Sequence, residues 1–397
     1  MANPQTMETL RGLVSAAHAA GDSLPAHIVV DGEVVDLAVD NTEPKVVLKL
    51  DSTTVQEMMD GELDGTAAFI SQRLIIEGDM MVATQISKIM APDRMELGSE
   101  KAGDTNDNII MVENLGLIVK DLEGARTTME KMGFNMSPLG NHRVEGKDGE
   151  FTQFGTGNHL ANFSNLSFLE LITHYIPERT AGLYGDQLKR YGNHWGKMTI
   201  KIKSSDTEVE RLRRQGHPIE KAGRFYRYHA EDGFSLDHGG TKRSKLVSYP
   251  SSMIDDYMVI AMEHFDDGFP IPEEHFNHPN GVQKIAFSLI GTDNPAAAAA
   301  RYAEDISIKA TERDGDWVIE GGQDTTIIFR AKDRLPANLQ HELGDRGTYL
   351  LAPGYKVKSL SETKAFLEKA GFASVETDLG LMVERPIEGT GTSFFIE

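Results

Sequence analysis

The stretch NLGLIVKDLEGARTTMEKMGF, residues 114–134, decides the fold class of this chain. An apolar segment that suits a strand precedes a polar, periodic segment that suits a helix, and the helix is predicted to end near Gly133. The same order recurs in GKMTIKIKSSDTEVERLRRQGHPI (196–219) and GYKVKSLSETKAFLEKAGFASV (354–375), and more loosely in GVQKIAFSLIGTDNPAAAAARYAEDI (281–306). Four copies at a spacing of roughly 80 residues predict an internally repeated βαβββ architecture.

The residues before these repeats predict a separate compact unit. METLRGLVSAAHAA (7–20) spaces its apolar residues as an amphipathic helix does, and HIVVDGEVVDLAV (27–39) alternates around an Asp-Gly pair that is typical of a hairpin. The polar stretch at 91–108 has no periodicity, as expected of a linker. The predicted α+β chain consists of an N-terminal domain (1–95), a linker (96–108) and two module pairs (109–265 and 266–397).

Composition excludes several classes of function. The 397 residues include 40 Lys plus Arg against 61 Asp plus Glu, which gives a formal net charge of −21. So negative a surface repels nucleic-acid phosphates and anionic lipid headgroups, and we expect neither as a partner. Cysteine is absent, which excludes thiolate metal sites and thiol nucleophiles. No apolar run has the length of a membrane span or signal segment, so we expect a cytoplasmic protein, as a monomer or a homodimer.

The segment VVLKLDSTTVQEMMDGELDGTAAFISQRLIIEGDMMVATQI (46–86) resembles the sterol carrier protein 2 family. The matching features are a strand before a short helix, the GELD motif at 61–64, the Ala68-Phe69 pair and the IEGD turn at 76–79. The resemblance implies a sheet and helices that enclose an apolar tunnel. It therefore implies binding of a hydrophobic, lipid-like ligand rather than catalysis.

The four repeats resemble the vicinal oxygen chelate superfamily, which includes glyoxalase I, extradiol dioxygenases and bleomycin resistance proteins. Its glyoxalase-like branch carries a histidine, a GT-x-N motif and a Leu-Glu strand, and this chain has His142, GTGN at 155–158 and FLEL at 168–171. The HPNG motif at 278–281 is also typical of that branch. The resemblance implies two glyoxalase-like pairs of βαβββ modules.

The same resemblance implies a divalent metal, Fe, Mn, Zn or Ni, held by His or Glu side chains on the first and last strands of paired modules. Glu170 matches the last-strand ligand. The first-strand positions hold Asn114, Lys197 and Lys284, and an ammonium opposes a cation. A metal in this chain therefore requires a rearranged set such as Glu170, His194, His142 or His159, with Glu170 and His194 as the predicted pair.

Alternation along SFLELITHY (167–175) places Glu170 and His174 on one face of a strand. The predicted catalytic residues are Glu170, as base or ligand, with His142 and His194 orienting substrate oxygens. Glu170 is equally compatible with an ion pair to Lys197, and the histidines and tyrosines are compatible with structural roles. The predicted substrate-binding residues are Asn114, Asn158, His159, His174, Tyr226 and Tyr228.

Two functions fit these observations. In the first, the chain is a vicinal-oxygen-chelate-type enzyme with isomerase, lyase or dioxygenase chemistry on a hydrophobic small molecule, which the N-terminal domain binds or shields. In the second, both parts only bind, carry or sequester such a molecule. We favour the enzyme because Glu170, His142 and Asn158 retain the polar set of the glyoxalase-like branch.

Overall fold

The computed structural model describes residues 2–19, 25–38, 43–59, 68, 73–78, 105–145, 151–174, 183–215, 217, 219, 222–228, 241–250, 255, 257–265 and 273–397. Within these ranges lie 20 β-strands and eight α-helices. The strands form a four-stranded sheet, a closed barrel and an eight-stranded sheet. No helix in these ranges combines the length and apolarity needed to cross a membrane.

The N-terminal sheet has the strand order β2-β1-β3-β4. Its elements are α1 (Pro4–Ala19), β1 (Ala26–Val30), β2 (Glu33–Asp36), β3 (Val46–Leu50), α2 (Ser52–Met59) and β4 (Leu74–Gly78). The predicted Asp-Gly hairpin is confirmed, because Asp31 and Gly32 take the positive φ angles of a two-residue turn, 49° and 90°, between β1 and β2. Residues 79–104, which contain most of the predicted linker, lie outside the described ranges.

The closed barrel follows in the chain and contains the strands on which we predicted a site. Its elements are β5 (Ile109–Ile118), α3 (Leu122–Lys131), β6 (Gly140–Glu145), β7 (Phe151–Asn162), β8 (Phe168–His174), α4 (Leu183–Tyr191), β9 (His194–Ile202), α5 (Ser205–Arg214), β10 (Gly223–Tyr228), β11 (Thr241–Ser248) and β12 (Met258–His264). The strand order is β10-β11-β12-β9-β5-β8-β7-β6, and pairing of β10 with β6 closes the barrel.

An eight-stranded sheet with the order β14-β15-β16-β13-β17-β20-β19-β18 completes the fold. Its elements are β13 (Val282–Thr292), α6 (Pro295–Ile306), β14 (Thr311–Arg313), β15 (Asp316–Glu320), β16 (Thr326–Ala331), α7 (Ala337–Leu343), β17 (Thr348–Val357), α8 (Leu360–Lys369), β18 (Ser374–Thr377), β19 (Gly380–Val383) and β20 (Ser393–Ile396). Two 3-10 helices lie at Glu273–Phe276 and Lys332–Arg334. From β5 onward, the order strand, helix and three strands occurs four times.

The helix that follows the first strand of each run begins at a polar capping residue. Asp121, Ser204, Asn294 and Ser359 each accept a hydrogen bond in the side chain from the backbone N–H three residues later. Such caps satisfy one of the N–H groups that a helix leaves without an internal partner. The repeated cap explains why four otherwise divergent segments turn from strand into helix at corresponding points.

The HPNG motif joins the barrel to the eight-stranded sheet. His278 accepts a hydrogen bond at Nδ1 from the Asn135 backbone N–H (3.0 Å) and donates from Nε2 to the Asn162 carbonyl (2.8 Å). The side chain of Asn280 donates to the Met132 carbonyl. Burial lowers the pKa of His278 to about 4, so this imidazole is neutral at physiological pH. The motif is thus a structural joint.

Candidate functional site

Alternation along the strands builds the interior of the barrel. On β8, Glu170 and Ile172 face inward while Leu169 and Leu171 belong to the core outside the barrel. Gly116 on β5 pairs with Glu170 on one side and with Lys197 of β9 on the other. A Cβ added to Gly116 would lie 2.9 Å from the Cβ of Lys197. The missing side chain of this glycine therefore lets the ammonium of Lys197 reach the carboxylate of Glu170.

Glu170 lies at the centre of a buried polar network. Lys197 donates to its Oε2 (2.8 Å), Asn158 donates to its Oε1 (2.6 Å), and Nε2 of His142 is 3.6 Å from Oε1. The Asn158 amide nitrogen is also 2.9 Å from Nε2 of His142, whose Nδ1 is 2.6 Å from the Thr156 hydroxyl. When the amide donates to both partners, the ring proton of His142 lies on Nδ1.

The charges of this network are fixed near neutral pH. Burial raises the pKa of Glu170, but the charge of Lys197, the proximity of His142 and the hydrogen bonds from Lys197 and Asn158 lower it to about 2. Burial lowers the pKa of Lys197, but Glu170 and the hydroxyl of Tyr184 raise it to about 12. Burial is the largest of the effects that raise the pKa of Tyr184 to about 12. A carboxylate, an ammonium and a neutral phenol thus stand side by side.

An apolar cluster lines one part of the described interior and shares Tyr184 with the Glu170 network. Its members come from β5, β8, β11, β12 and α4. The members are Ile118, Ile172, Tyr184, Leu188, Leu246, Met258, Ile260 and Met262. A barrel interior of this composition suits a mainly apolar ligand that carries one polar function.

The predicted metal does not fit these donors. Both carboxylate oxygens of Glu170 already accept hydrogen bonds, and one of them faces the ammonium of Lys197 at 2.8 Å. A divalent cation needs lone pairs that converge on it, whereas an ammonium repels it. Among the described residues, no group of three or more His, Cys, Asp or Glu side chains is arranged to hold a metal ion.

His194 lies on β9 but does not join Glu170. Its Nδ1 donates to the Gly192 carbonyl (2.8 Å), and its ring packs against Tyr191 and Tyr349. The hydrogen bonds of Glu170 within the described ranges come from other residues. The predicted metal pair of Glu170 with His194, and a catalytic role for His194, therefore stay predictions that no direct hydrogen bond between the two residues supports.

Asn114 and His159 occupy different sides of the barrel wall. Asn114 faces inward, where its amide oxygen accepts from the Thr199 hydroxyl (3.2 Å). His159 faces outward because it follows Asn158 on the same strand, and it contacts the Ser137 carbonyl (2.7 Å) and Glu123 of α3 (3.1 Å). Because neighbouring residues of a strand face opposite sides, the prediction that His159 shares a substrate site with Asn158 is wrong.

The remaining predicted ligand-binding residues lie on β8 and β10 of the barrel. His174 ends β8, pairs with Thr156 across the sheet and is half-buried. Tyr226 and Tyr228 belong to β10, whose backbone pairs with β6, but their side chains lie outside the described part of the chain. A substrate contact from these three residues stays a prediction.

Other inward-facing residues were not predicted from the sequence. Tyr184 and Thr156 belong to the Glu170 network; Tyr184 stands in no recognisable motif, and Thr156 stands in the GTGN motif, of which only Asn158 was predicted as a site residue. A second buried network joins Glu113, His264 and Ser244. Alternation along MVIAMEH would have placed His264 on the inward face, but Glu113 lies at a β-bulge that strict alternation does not foresee.

Comparison with known proteins agrees with both predicted parts. Residues 2–91 match the model of the SCP-2 sterol transfer family, and residues 115–306 match the model of a glyoxalase-like domain. The chain contains an SCP-2 sterol transfer domain and a glyoxalase-like domain. The glyoxalase-like match starts in β5, spans the barrel and continues through β13 and α6. The barrel strands therefore have a vicinal oxygen chelate fold, as predicted.

No curated protein matches the chain. Three similar solved structures are a hypothetical protein from Staphylococcus aureus, a mutant of 4-hydroxymandelate synthase from Streptomyces coelicolor and a fusion of a xylose isomerase-like TIM barrel with 4-hydroxyphenylpyruvate dioxygenase. Each is 11% identical to this chain, with TM-scores of 0.49, 0.46 and 0.41. They cover 72%, 72% and 80% of this chain, and 98%, 92% and 55% of their own chains. Such similarity carries no argument about the chemistry of the site.

Proposed function

We propose that the glyoxalase-like barrel is an enzyme site that binds an oxygen-bearing hydrophobic small molecule and stabilises negative charge on its oxygen through Lys197. The buried ion pair of Lys197 with Glu170 carries this proposal. A buried ion pair costs desolvation energy and is often no more stabilising than two packed apolar side chains. Tyr184 of the apolar cluster contacts Lys197, so the ion pair adjoins an apolar part of the barrel interior, and ligand chemistry explains its presence there better than folding does.

The donors of Lys197 support this role. An ammonium has three N–H groups, and within the described residues Glu170 and Tyr184 accept two of them. No other described residue accepts the third, which a ligand oxygen can therefore take. Because Asn158 holds the other carboxylate oxygen of Glu170, the cation is fixed before the ligand arrives. A pre-oriented cation in a low-dielectric site is an efficient way to stabilise a developing oxyanion.

Isomerase and lyase reactions next to a carbonyl develop charge of this kind on oxygen. Of the predicted chemistries, these two therefore suit the site, and no step is assigned to a metal. The SCP-2 domain, whose family match concerns sterol transfer, would supply or shield the hydrophobic ligand. That division of labour is part of the same proposal.

A second candidate function is binding without catalysis. It is favoured by the pKa of Glu170, about 2, and that of Lys197, about 12, because neither group is ready to exchange a proton near neutral pH. Under this alternative the pair would only recognise a polar group on a carried or sequestered molecule.

Deuterium exchange separates the two functions. Phenylpyruvate, an apolar 2-oxo acid, is incubated in deuterated water with the protein or its Lys197→Met variant, and loss of the proton beside the carbonyl is followed by NMR. The enzyme proposal predicts that the wild-type protein accelerates exchange and that the variant does not. Binding of the compound without acceleration, lost in the same variant, would favour the carrier function. Equal exchange by both proteins would contradict a role for Lys197.

A further inference from the structure

A second buried network lies inside the barrel on β5, β11 and β12. The hydroxyl of Ser244 is 2.7 Å from Nδ1 of His264. Nε2 of the same imidazole lies 2.9 Å and 2.8 Å from the two carboxylate oxygens of Glu113. Ser244 is 5% exposed, and the side chains of His264 and Glu113 are 4% and 1% exposed. Hydrogen bonds thus connect the Ser244 hydroxyl to the His264 imidazole and the imidazole to the Glu113 carboxylate.

The fold brings these residues together from distant parts of the sequence. Ser244 and His264 are direct cross-strand neighbours of β11 and β12. Glu113 lies at an irregularity in the pairing of β5 with β9, between Val112 and Asn114. A β-bulge places an extra residue in one strand and redirects its side chain. Here it allows Glu113 to reach His264 while the next residue, Asn114, also faces inward.

The hydrogen bonds determine the tautomer of His264. A carboxylate only accepts hydrogen bonds, so Nε2 must carry the ring proton that Glu113 receives. In the neutral imidazole, Nδ1 then carries the ring lone pair, to which the Ser244 hydroxyl donates. Nζ of Lys201 also lies 3.8 Å from Oε1 of Glu113, so a cation faces this carboxylate. The hydroxyl proton of Ser244 therefore lies toward Nδ1 of His264, the base. Nε2, on the opposite edge of the same ring, donates to the carboxylate of Glu113.

The carboxylate of Glu113 does not need Ser244 for its hydrogen bonds. His264 alone gives both carboxylate oxygens a partner. Within the described ranges, His264 is also the sole side-chain partner of the Ser244 hydroxyl. The serine thus adds a nucleophile to the carboxylate–imidazole pair, in the arrangement of roles by which a base and an orienting acid activate a hydroxyl.

We propose that Ser244, His264 and Glu113 form a second catalytic group, with Ser244 as nucleophile for acyl transfer from an ester of an apolar carboxylic acid. We expect an apolar acyl group because Leu246 and Met262 form the next cross-strand pair on the same face. Both side chains belong to the apolar cluster of the barrel interior. This activity goes beyond the charge stabilisation proposed for Lys197 and uses none of the same residues.

The reaction balances without an oxidant or a metal. The Ser244 oxygen attacks the ester carbonyl while His264 takes the hydroxyl proton at Nδ1. The carbon–oxygen bond to the alcohol then breaks, and the alcohol leaves with that proton. Water next attacks the acyl-serine, His264 accepts one proton of the water, and the Ser244 oxygen recovers it as the carboxylic acid leaves.

Covalent labelling tests the proposal on the full-length protein. Diisopropyl fluorophosphate reacts with an activated serine by losing fluoride, and the adduct is counted by intact mass and located by peptide mass spectrometry. We expect one adduct at Ser244 and none in Ser244→Ala. Ser248→Ala is the matched control, because Ser248 lies on the same strand, also buried, and pairs with Ile260 rather than with a histidine. It should label at the wild-type rate.

The dependence on the base gives a second readout. In His264→Gln, the amide can still donate to Glu113, and we expect labelling to slow by about 100-fold or more because the general base is lost. Labelling of Ser244 is read on the wild-type protein without phenylpyruvate, so its result is independent of the deuterium-exchange result for the previous proposal. Absence of an adduct at Ser244 in wild-type protein, while a serine esterase reacts in the same solution, overturns the proposal. Labelling that is as fast in folded His264→Gln as in the wild type overturns it equally.

Discussion

Replacing Lys197 by methionine tests the central ion pair most directly. The substitution leaves the carboxylate of Glu170, 2% exposed, without the cation that faces it at 2.8 Å. Removing one partner of a buried pair typically costs about 3–5 kcal/mol, since the other charge remains desolvated. We expect the barrel to lose stability of that size at pH 7. The double variant Glu170→Met/Lys197→Met should regain most of it, because two apolar side chains suit the surrounding interior.

The dependence on pH provides an independent estimate of the same interaction. The pKa of Glu170 is about 2 in the folded protein against an ordinary 4.5. A carboxyl with a depressed folded pKa contributes stability that is fully present above its unfolded pKa and is lost as the pH falls through the folded one. The difference corresponds to about 3 kcal/mol, lost between pH 4.5 and pH 2. The double variant should lack this loss.

Guanidinium unfolding with tryptophan fluorescence measures both effects. Of the two tryptophans, Trp195 is buried on β9 of the barrel and Trp317 lies on β15 of the eight-stranded sheet. A Trp317→Phe background leaves Trp195 as the only reporter, which isolates the barrel from the rest of a chain that need not unfold in one step. A Lys197→Met protein within about 1 kcal/mol of its parent would refute the reasoning. So would a double variant that is no more stable than the single one.

Three further predictions concern His278 in the HPNG motif, Gly116 between Glu170 and Lys197, and the hydrogen-bond donors to Glu170. The pKa of His278 is about 4 instead of 6.5, so the folded state loses stability as the pH falls from 6.5 toward 4; thermal midpoints across this range should fall in the wild type and stay flatter in His278→Gln. Gly116→Ala places a Cβ 2.9 Å from that of Lys197 and should cost about 1–3 kcal/mol in guanidinium unfolding, whereas Gly347→Ala, where nothing lies within 4 Å, should change stability by less than about 0.5 kcal/mol. Elemental analysis of the undialysed protein should find Fe, Mn, Zn and Ni far below one equivalent, because the oxygens of Glu170 are occupied by other donors; one equivalent of any of them, lost in Glu170→Gln, would contradict the site as described.

Much of the fold could be predicted from local signals. The Asp-Gly hairpin was readable because only a few residue pairs adopt positive φ at two consecutive positions. The inward face of β8 followed from alternation, since a strand has a period of two residues. The same rule places the side chains of Asn158 and His159 on opposite faces of β7. The prediction that both bind the substrate is inconsistent with that rule. Motif residues near one another in sequence do not share a face unless their spacing is even.

The candidate site was predictable only in part. Glu170, His142 and Asn158 were recognised through a family pattern, and the structure places all three in contact. Tyr184 escaped prediction because an isolated tyrosine in a polar helix carries no signal about what it faces. Glu113 escaped because a bulge shifts the phase of a strand, and a bulge depends on the partner strand.

The amino-acid sequence by itself determined the repeated order of strand and helix, the caps, the hairpin turn and the absence of thiol chemistry, because each depends on neighbours along the chain or on composition alone. Only the tertiary structure decided that Lys197 neutralises Glu170 across Gly116, and that Ser244 meets His264 and Glu113. These contacts join residues that lie 27 and 151 positions apart in the pairs Glu170–Lys197 and Glu113–His264. Strand register and barrel closure set such contacts, and both arise from pairing between strands rather than from any single segment.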